Sequence, residues 1–342
     1  MHCLSWGVML AGGDGTRLLP LTRRLFGHDR PKQFSRLFGS QSLLALTRNR
    51  VASLVSPHRT LFAVVESQHQ FYEAELSDVN PSRIVVQPGN RGTSAAIVYS
   101  LLRIARMDPD AVVAFFPTDH YYADEGAFVR GAELACEMAR QQPEFLILMG
   151  ATPEWADADY GWIEPGLCMG RSATTSLFRV NRFWEKPSHS VADKLHKDGC
   201  LLNTFVMIGY VRTFIELLRS SVPDVLGAFA PLAQHCSDER KVAAHVYRKL
   251  IPGDFSHQVL SACTNRLLVL RLADAGWSDL GTEDRVKAVA ARQNPAAAHK
   301  AAGSGSEPQT LEAFHAWLEA YRKRLNDVCE DSALHSSARA RN

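Results

Sequence analysis

The sequence predicts an α/β fold of Rossmann-like type: a mixed, mostly parallel central sheet flanked by helices, with a C-terminal helical tail. Three observations predict it. Short apolar runs alternate with amphipathic stretches over the first 150 or so residues, the pattern of βα units that build a parallel sheet. A glycine-rich turn follows the first apolar run directly. The composition, 46% apolar and 22% charged over 342 residues, is that of an ordinary globular protein. It excludes collagen-like, mucin-like and wholly disordered chains. The balance of 38 basic against 36 acidic residues, net +2, gives no global field for nucleic acid or an anionic membrane.

In chain order, SWGVML, RTLFAVV, RIVVQ, AVVAFFP and FLILMGA each read as a buried strand. Between them, Ile97, Leu101, Ile104 and Ala105 recur at helical spacing, as do Phe128, Ala132, Ala135 and Met138. Ligands of such sheets bind beyond the carboxyl ends of the strands. After about residue 151, YGWIEP, SLFRVNRFWEKP and LLNTFVMIGYV read as extended segments. Helical stretches follow near 212–221 and 225–250, and RLLVLRL (266–272) reads as one more buried strand. Residues 294–309 form a small-residue linker. Residues 310–330 carry the stripe Leu311, Phe314, Leu318, Tyr321 and Leu325, a helix whose apolar face needs the body of the protein or a second subunit. Residues 331–342 read as a disordered tail. Residues 1–293 are the expected catalytic domain.

The seven cysteines are scattered and include no Cys-x-x-Cys pair, so no disulfide framework or zinc site is expected. The N-terminus lacks the regions of a signal peptide, and no run approaches about 18 apolar residues. A cytoplasmic protein is expected.

The strongest motif is Leu10-Ala11-Gly12-Gly13-Asp14-Gly15-Thr16-Arg17-Leu18. Glycines there let backbone N–H groups approach a polyphosphate without Cβ interference. Arg17 adds a forked, permanently charged contact. The loop matches neither G-x-G-x-x-G nor the P-loop. Arg17, Arg23, Arg24, Arg30, Lys32 and Arg36 crowd the next stretch, which reads as a triphosphate-binding lid beside the loop.

LAGGDGTRLLPLT…PKQF resembles the opening of the sugar-1-phosphate nucleotidyltransferases, in particular the mannose-1-phosphate guanylyltransferases. The resemblance runs over about residues 4–292 and implies the nucleotidyltransferase version of the fold. It implies nucleotide-binding roles for Leu10, Ala11, Gly12, Gly13, Gly15, Thr16, Arg17, Gln87, Gly92 and Thr93. Thr93 or Ser94 is also a candidate N-cap for the helix after Gly92. PTDH and WSDLG imply that Asp119 and Asp279 ligate Mg²⁺, a hard cation suited to one or two carboxylates plus phosphate oxygens. EKP implies Glu185 on sugar hydroxyls and Lys186 on the sugar phosphate. YGWIE and LNTF imply that Gly161 and Asn203 face the sugar.

The implied reaction transfers a nucleotidyl group from a nucleoside triphosphate, GTP favoured, to a sugar 1-phosphate, mannose 1-phosphate favoured, releasing pyrophosphate. Both substrates are anions. At about 4 Å and an effective dielectric near 20, each like-charge pair costs about 4 kcal/mol. Arg17, Lys32 and Lys186, with the metal, are the expected catalytic charges. Two other readings stay open. RGTS, LNTF and DFSHQ depart from the guanylyltransferase pattern, which leaves thymidylyl, uridylyl or cytidylyl transfer. A catalytically inactive paralogue that binds sugar nucleotide is the non-enzyme alternative.

Overall fold

The computed structural model describes residues 3–171, 175–233, 238–272 and 275–293. The linker, helix and tail expected over 294–342 lie outside them.

The described residues hold eleven strands: β1 (Trp6–Leu10), β2 (Thr60–Val65), β3 (Ile84–Gln87), β4 (Val112–Pro117), β5 (Tyr121–Tyr122), β6 (Leu146–Ala151), β7 (Gly161–Arg171), β8 (Ser176–Glu185), β9 (Leu201–Tyr210), β10 (Leu267–Leu272) and β11 (Trp277–Ser278). Nine form one sheet in the order β3-β2-β1-β4-β9-β6-β10-β8-β7, and β11 pairs with β5 separately. β3, β2, β1 and β4 are mutually parallel, as are β6 and β10, while β9 lies antiparallel between the two sets.

Both faces of the sheet are covered, which explains the continuous apolar runs. In β4, Val113 and Phe115 join one core and Val112, Ala114 and Phe116 the other. Strand period two divides the run between faces. The helix Gly92–Met107 lies against the first core through Ala95, Ile97, Val98, Leu101 and Ile104. Glu125–Gln141 lies against the second through Phe128, Ala132, Ala135 and Ala139. Covering helices therefore sit on opposite faces beside β1, the place where such sheets open a crevice.

Two departures from the sequence reading matter here. The helical stretch expected over 225–250 is three helices, Pro223–Ala228, Ala230–Ala233 and Glu239–Lys249. The β7–β8 hairpin carries register shifts at Glu164/Pro165, Pro165/Cys168 and Cys168/Gly170. Bulges bend a hairpin, and its base meets β9 where Trp162 pairs with Leu202. That junction places Gly161 and Glu185 beside Asn203. No helix of the described residues is long and apolar enough to cross a membrane.

Candidate active site

A cleft of 660 Å³ opens at the carboxyl ends of β1, β3 and β4. Of the residues singled out in the sequence, Leu10, Gly12, Gly13, Arg17, Gln87, Gly92, Thr93, Asp119, Gly161, Glu185, Lys186, Asn203 and Asp279 line it. Ala11 and Lys32 are buried behind that lining, and Gly15 and exposed Thr16 lie outside it.

The loop after β1 is held from beneath. Gln33 Nε2 donates to the carbonyls of Ala11 (3.0 Å) and Gly13 (2.9 Å), and Gln68 Nε2 donates to Gly13 O at 3.0 Å. The N–H of Ala11 goes to Ala63 O. No hydrogen bond within the described residues takes the N–H of Gly12, Gly13, Asp14 or Gly15. These donors are what a phosphate chain requires. A Cβ on Gly12 would sit 2.8 Å from Gln87 Nε2, so any side chain there would displace the Gln87 amide. Gln87 is itself set by Tyr247, whose hydroxyl donates to its Oε1 at 3.0 Å.

The expected cap at Thr93 or Ser94 is corrected: Arg91 is the N-cap of that helix, and its own side chain makes no capping hydrogen bond. Gly92 has φ +81°, and its N–H meets Asn90 Oδ1 at 2.9 Å. The Thr93 hydroxyl instead accepts from Phe255 N at 2.8 Å, while Ser94 donates to Gln258. The 252–258 segment is thereby stapled over the helix start, and its Pro252, Gly253, Asp254 and Ser256 join the cleft lining.

The short β11–β5 ribbon brings the two aspartates together, because Asp119 precedes β5 and Asp279 follows β11. Lys32, only 8% exposed, lies with Nζ 2.8 Å from Asp119 Oδ2 and also donates to the Asp279 carbonyl. Asp279 Oδ1 accepts from Tyr160 Oη (3.0 Å), Gly281 N (2.9 Å) and Arg285 Nη1 (2.9 Å). Burial works to raise both carboxyl groups, but Lys32, joined by Arg285 at Asp279, outweighs it and holds them below the usual range. Both are carboxylates at neutral pH. Burial also lowers His120, leaving a neutral ring whose Nδ1 accepts from Trp277 at 3.3 Å. Burial, reinforced by Asp254, raises the Glu185 carboxyl.

The basic stretch does not act as one lid. Arg23 is bound bidentately by Asp29 and Arg24 by Glu283. Arg30 packs over Phe26 and Phe71. The charged side chains lining the cleft are Asp119, Asp159, Glu185, Asp254 and Asp279 against Arg17 and Lys186. Lys32 and Arg285 meet Asp119 and Asp279 from behind that lining, so the side-chain charges nearly balance and the expected positive concentration is not reached by the side chains alone. Two converging carboxylates offer the hard oxygen donors that magnesium takes. The residues present therefore fit that ion.

Sequence reading gave no site role to Arg285, Asp157, Asp159, Tyr160 and Tyr247. Asp157-Ala158-Asp159 has the spacing of a metal motif, but β6 ends at Ala151, well before it. Its carboxylates pair with arginines: Asp157 with Arg285 (2.6 Å), Asp159 with Arg17 (3.1 Å). Among the described residues, three non-glycine positions have left-handed backbone, Lys186 (φ 46°), Phe205 (φ 59°) and Leu280 (φ 50°). Two line the cleft and the third follows Asp279. Such conformations cost energy and collect at functional sites.

The nucleotidyl transferase family matches residues 6–293. The chain is 28% identical over 299 residues to the xanthan biosynthesis protein XanB of Xanthomonas campestris pv. campestris, covering 85% of this chain and 61% of that protein. It is 29% identical over 287 residues to mannose-1-phosphate guanylyltransferase 2 of Escherichia coli O157:H7, covering 80% and 58%. It therefore spans about three fifths of the length of these curated relatives. Among solved structures, one described as a mannose-1-phosphate geranyltransferase from Thermus thermophilus superposes with a TM-score of 0.68 at 27% identity, over 81% of this chain and 76% of that one.

Proposed function

This chain belongs to the nucleotidyl transferase family, and from that premise we propose that it transfers a guanylyl group from GTP to mannose 1-phosphate. The observation that carries the proposal is one cleft holding a glycine loop with free N–H groups, two converging carboxylates and the Glu185-Lys186 pair. The guanylyltransferase relatives favour GTP and mannose 1-phosphate over other pairs.

In this reading the sugar phosphate occupies the side formed by Gly161, Glu185, Lys186 and Asn203. One of its oxygens attacks the α-phosphorus in line. The new P–O bond forms as the bond to the bridging oxygen breaks, and pyrophosphate leaves with that electron pair. The attacking group is already an anion, since the second pKa of a phosphate monoester is about 6. No side chain has to remove a proton. Arg17 and the loop N–H groups orient the triphosphate, while Lys186 orients the sugar phosphate. Asp119 and Asp279 would hold magnesium, which when bound supplies positive charge against the triphosphate.

The test is pyrophosphate release with Mg²⁺ over a panel of nucleoside triphosphates and sugar 1-phosphates. GTP with mannose 1-phosphate is expected to be turned over fastest. A thymidine, uridine or cytidine nucleotide ahead of GTP would overturn the base assignment, and no release from any pair would overturn the activity.

Gly161 gives a narrower check. A Cβ there would lie 3.0 Å from Glu185 Oε2 and 3.4 Å from Asn203 Cβ. Gly161→Ala therefore pushes at the proposed sugar contacts and leaves the triphosphate side alone. The expected result is a KM for the sugar phosphate raised about tenfold, the equivalent of about 1.4 kcal/mol, with KM for the nucleotide unchanged.

A further inference from the structure

Resting on the nucleotidyltransferase reading, one contact in the cleft carries a further role. Arg17 Nη1 donates to Asp159 Oδ2 at 3.1 Å, and the two side chains are 54% and 52% exposed. Lys32 is locked in place by Asp119, so Arg17 is the cation beside the glycine loop that is free to turn. As observed, its charge is engaged by a carboxylate of the same cleft.

We propose that Asp159 is a positioning residue that holds Arg17 until a triphosphate takes Arg17 from it, and that Arg285 then receives the released carboxylate. Asp159 Oδ2 already lies 3.7 Å from Arg285 Nη2. Arg285 is 7% exposed and pinned by Asp157 at 2.6 Å and Asp279 at 2.9 Å, so it is a fixed receiver. The Asp159 N–H donates to Asp157 Oδ1 at 2.9 Å, which keeps the turn in place when the side chain swings. An exposed ion pair is weak, whereas a forked guanidinium on phosphate is charge-assisted and two-pronged. The phosphate therefore wins the exchange. The contact lowers apparent triphosphate affinity by the fraction of time Arg17 is held, and it turns Arg17 toward the cleft beforehand.

The experiment is calorimetric binding of GTP, and separately of inorganic tripolyphosphate, each with Mg²⁺ and without sugar phosphate. Asp159→Asn is expected to bind both about two- to fivefold more tightly, the scale of an exposed pair. The gain should shrink as salt rises. Asp159→Ala is a second variant with the same expected direction. In an Arg17→Gln background the gain should vanish, because the coupling is then gone. A gain that persists in that background means that Asp159 acts only through its general field, and overturns the role. So does unchanged or weaker binding. If the wild type binds tripolyphosphate but no nucleoside triphosphate, and Asp159→Asn tightens it, the positioning role stands and the nucleotidyltransferase reading falls. A wild type that binds neither probe overturns both.

Discussion

Asp279→Asn is expected to reduce pyrophosphate release by roughly 10²- to 10³-fold, the usual loss when a charge-stabilising group leaves such a site. The amide keeps the carboxylate's shape. Its oxygen can still accept from Tyr160 Oη and Gly281 N, the contacts that Oδ1 makes now. Arg285 retains Asp157 at 2.6 Å. The fold should therefore survive, with a melting temperature a few degrees lower for the weakened buried pair. Charge is what is lost: Asp119 alone then faces the cleft from the β5–β11 ribbon, with Lys32 neutralising it. Release assays at saturating Mg²⁺ and a thermal melt on the same preparation check both halves. A folded variant with near-wild-type turnover would remove Asp279 from the metal assignment.

Gly92→Ala is expected to be the most destabilising single-methyl change in the cleft. Gly92 has φ +81°, and an added Cβ would lie 2.2 Å from the Gly253 carbonyl oxygen. Gly253 cannot retreat cheaply. Its N–H is held by Arg91 O at 3.0 Å, its carbonyl accepts from Ser94 N at 3.2 Å, and Phe255 N is held by Thr93. Left-handed strain alone costs about 1–3 kcal/mol. Breaking the 252–255 staple adds to it. Differential scanning calorimetry should show a loss of roughly 5–10 °C. Because the same staple forms one wall of the cleft, nucleotide affinity should fall with it. A melting point within a degree of wild type would mean that the segment is loosely held.

Legibility in the sequence follows the range of the interactions. The glycine loop is legible because close backbone approach is a local demand that only glycine meets. Asp119 and Asp279 are legible because each follows a strand or strand-like run, where a carboxylate reaches the crevice. The antiparallel β9 is legible as an extended segment, but its place between β4 and β6 is not, since long-range pairings such as Phe115 with Met207 and Leu148 with Met207 fix it. Thr93 looks like a cap because a hydroxyl at a helix start usually is one. A partner 162 residues away claims it instead. Arg285 left one faint local sign: it stands in the first turn of the helix Glu283–Gln293, where the dipole disfavours a cation. Its reason is the trio of carboxylates gathered from residues 157, 159 and 279.

The β5–β11 ribbon also bears on when the chain becomes competent. During synthesis the glycine loop, β2, β3 and β4 emerge first, with the edge of β4 uncovered until β9 follows at Leu201–Tyr210. An open edge of that kind invites pairing with another chain. Asp119 waits longer still, because Trp277 and Ser278 must pair with Tyr122 and Tyr121 before Asp279 can join it. A nascent or truncated chain ending before residue 277 can thus display the phosphate loop without the carboxylate pair. The carboxylate pair is therefore complete only after residues 277–279 have been made and the ribbon has paired.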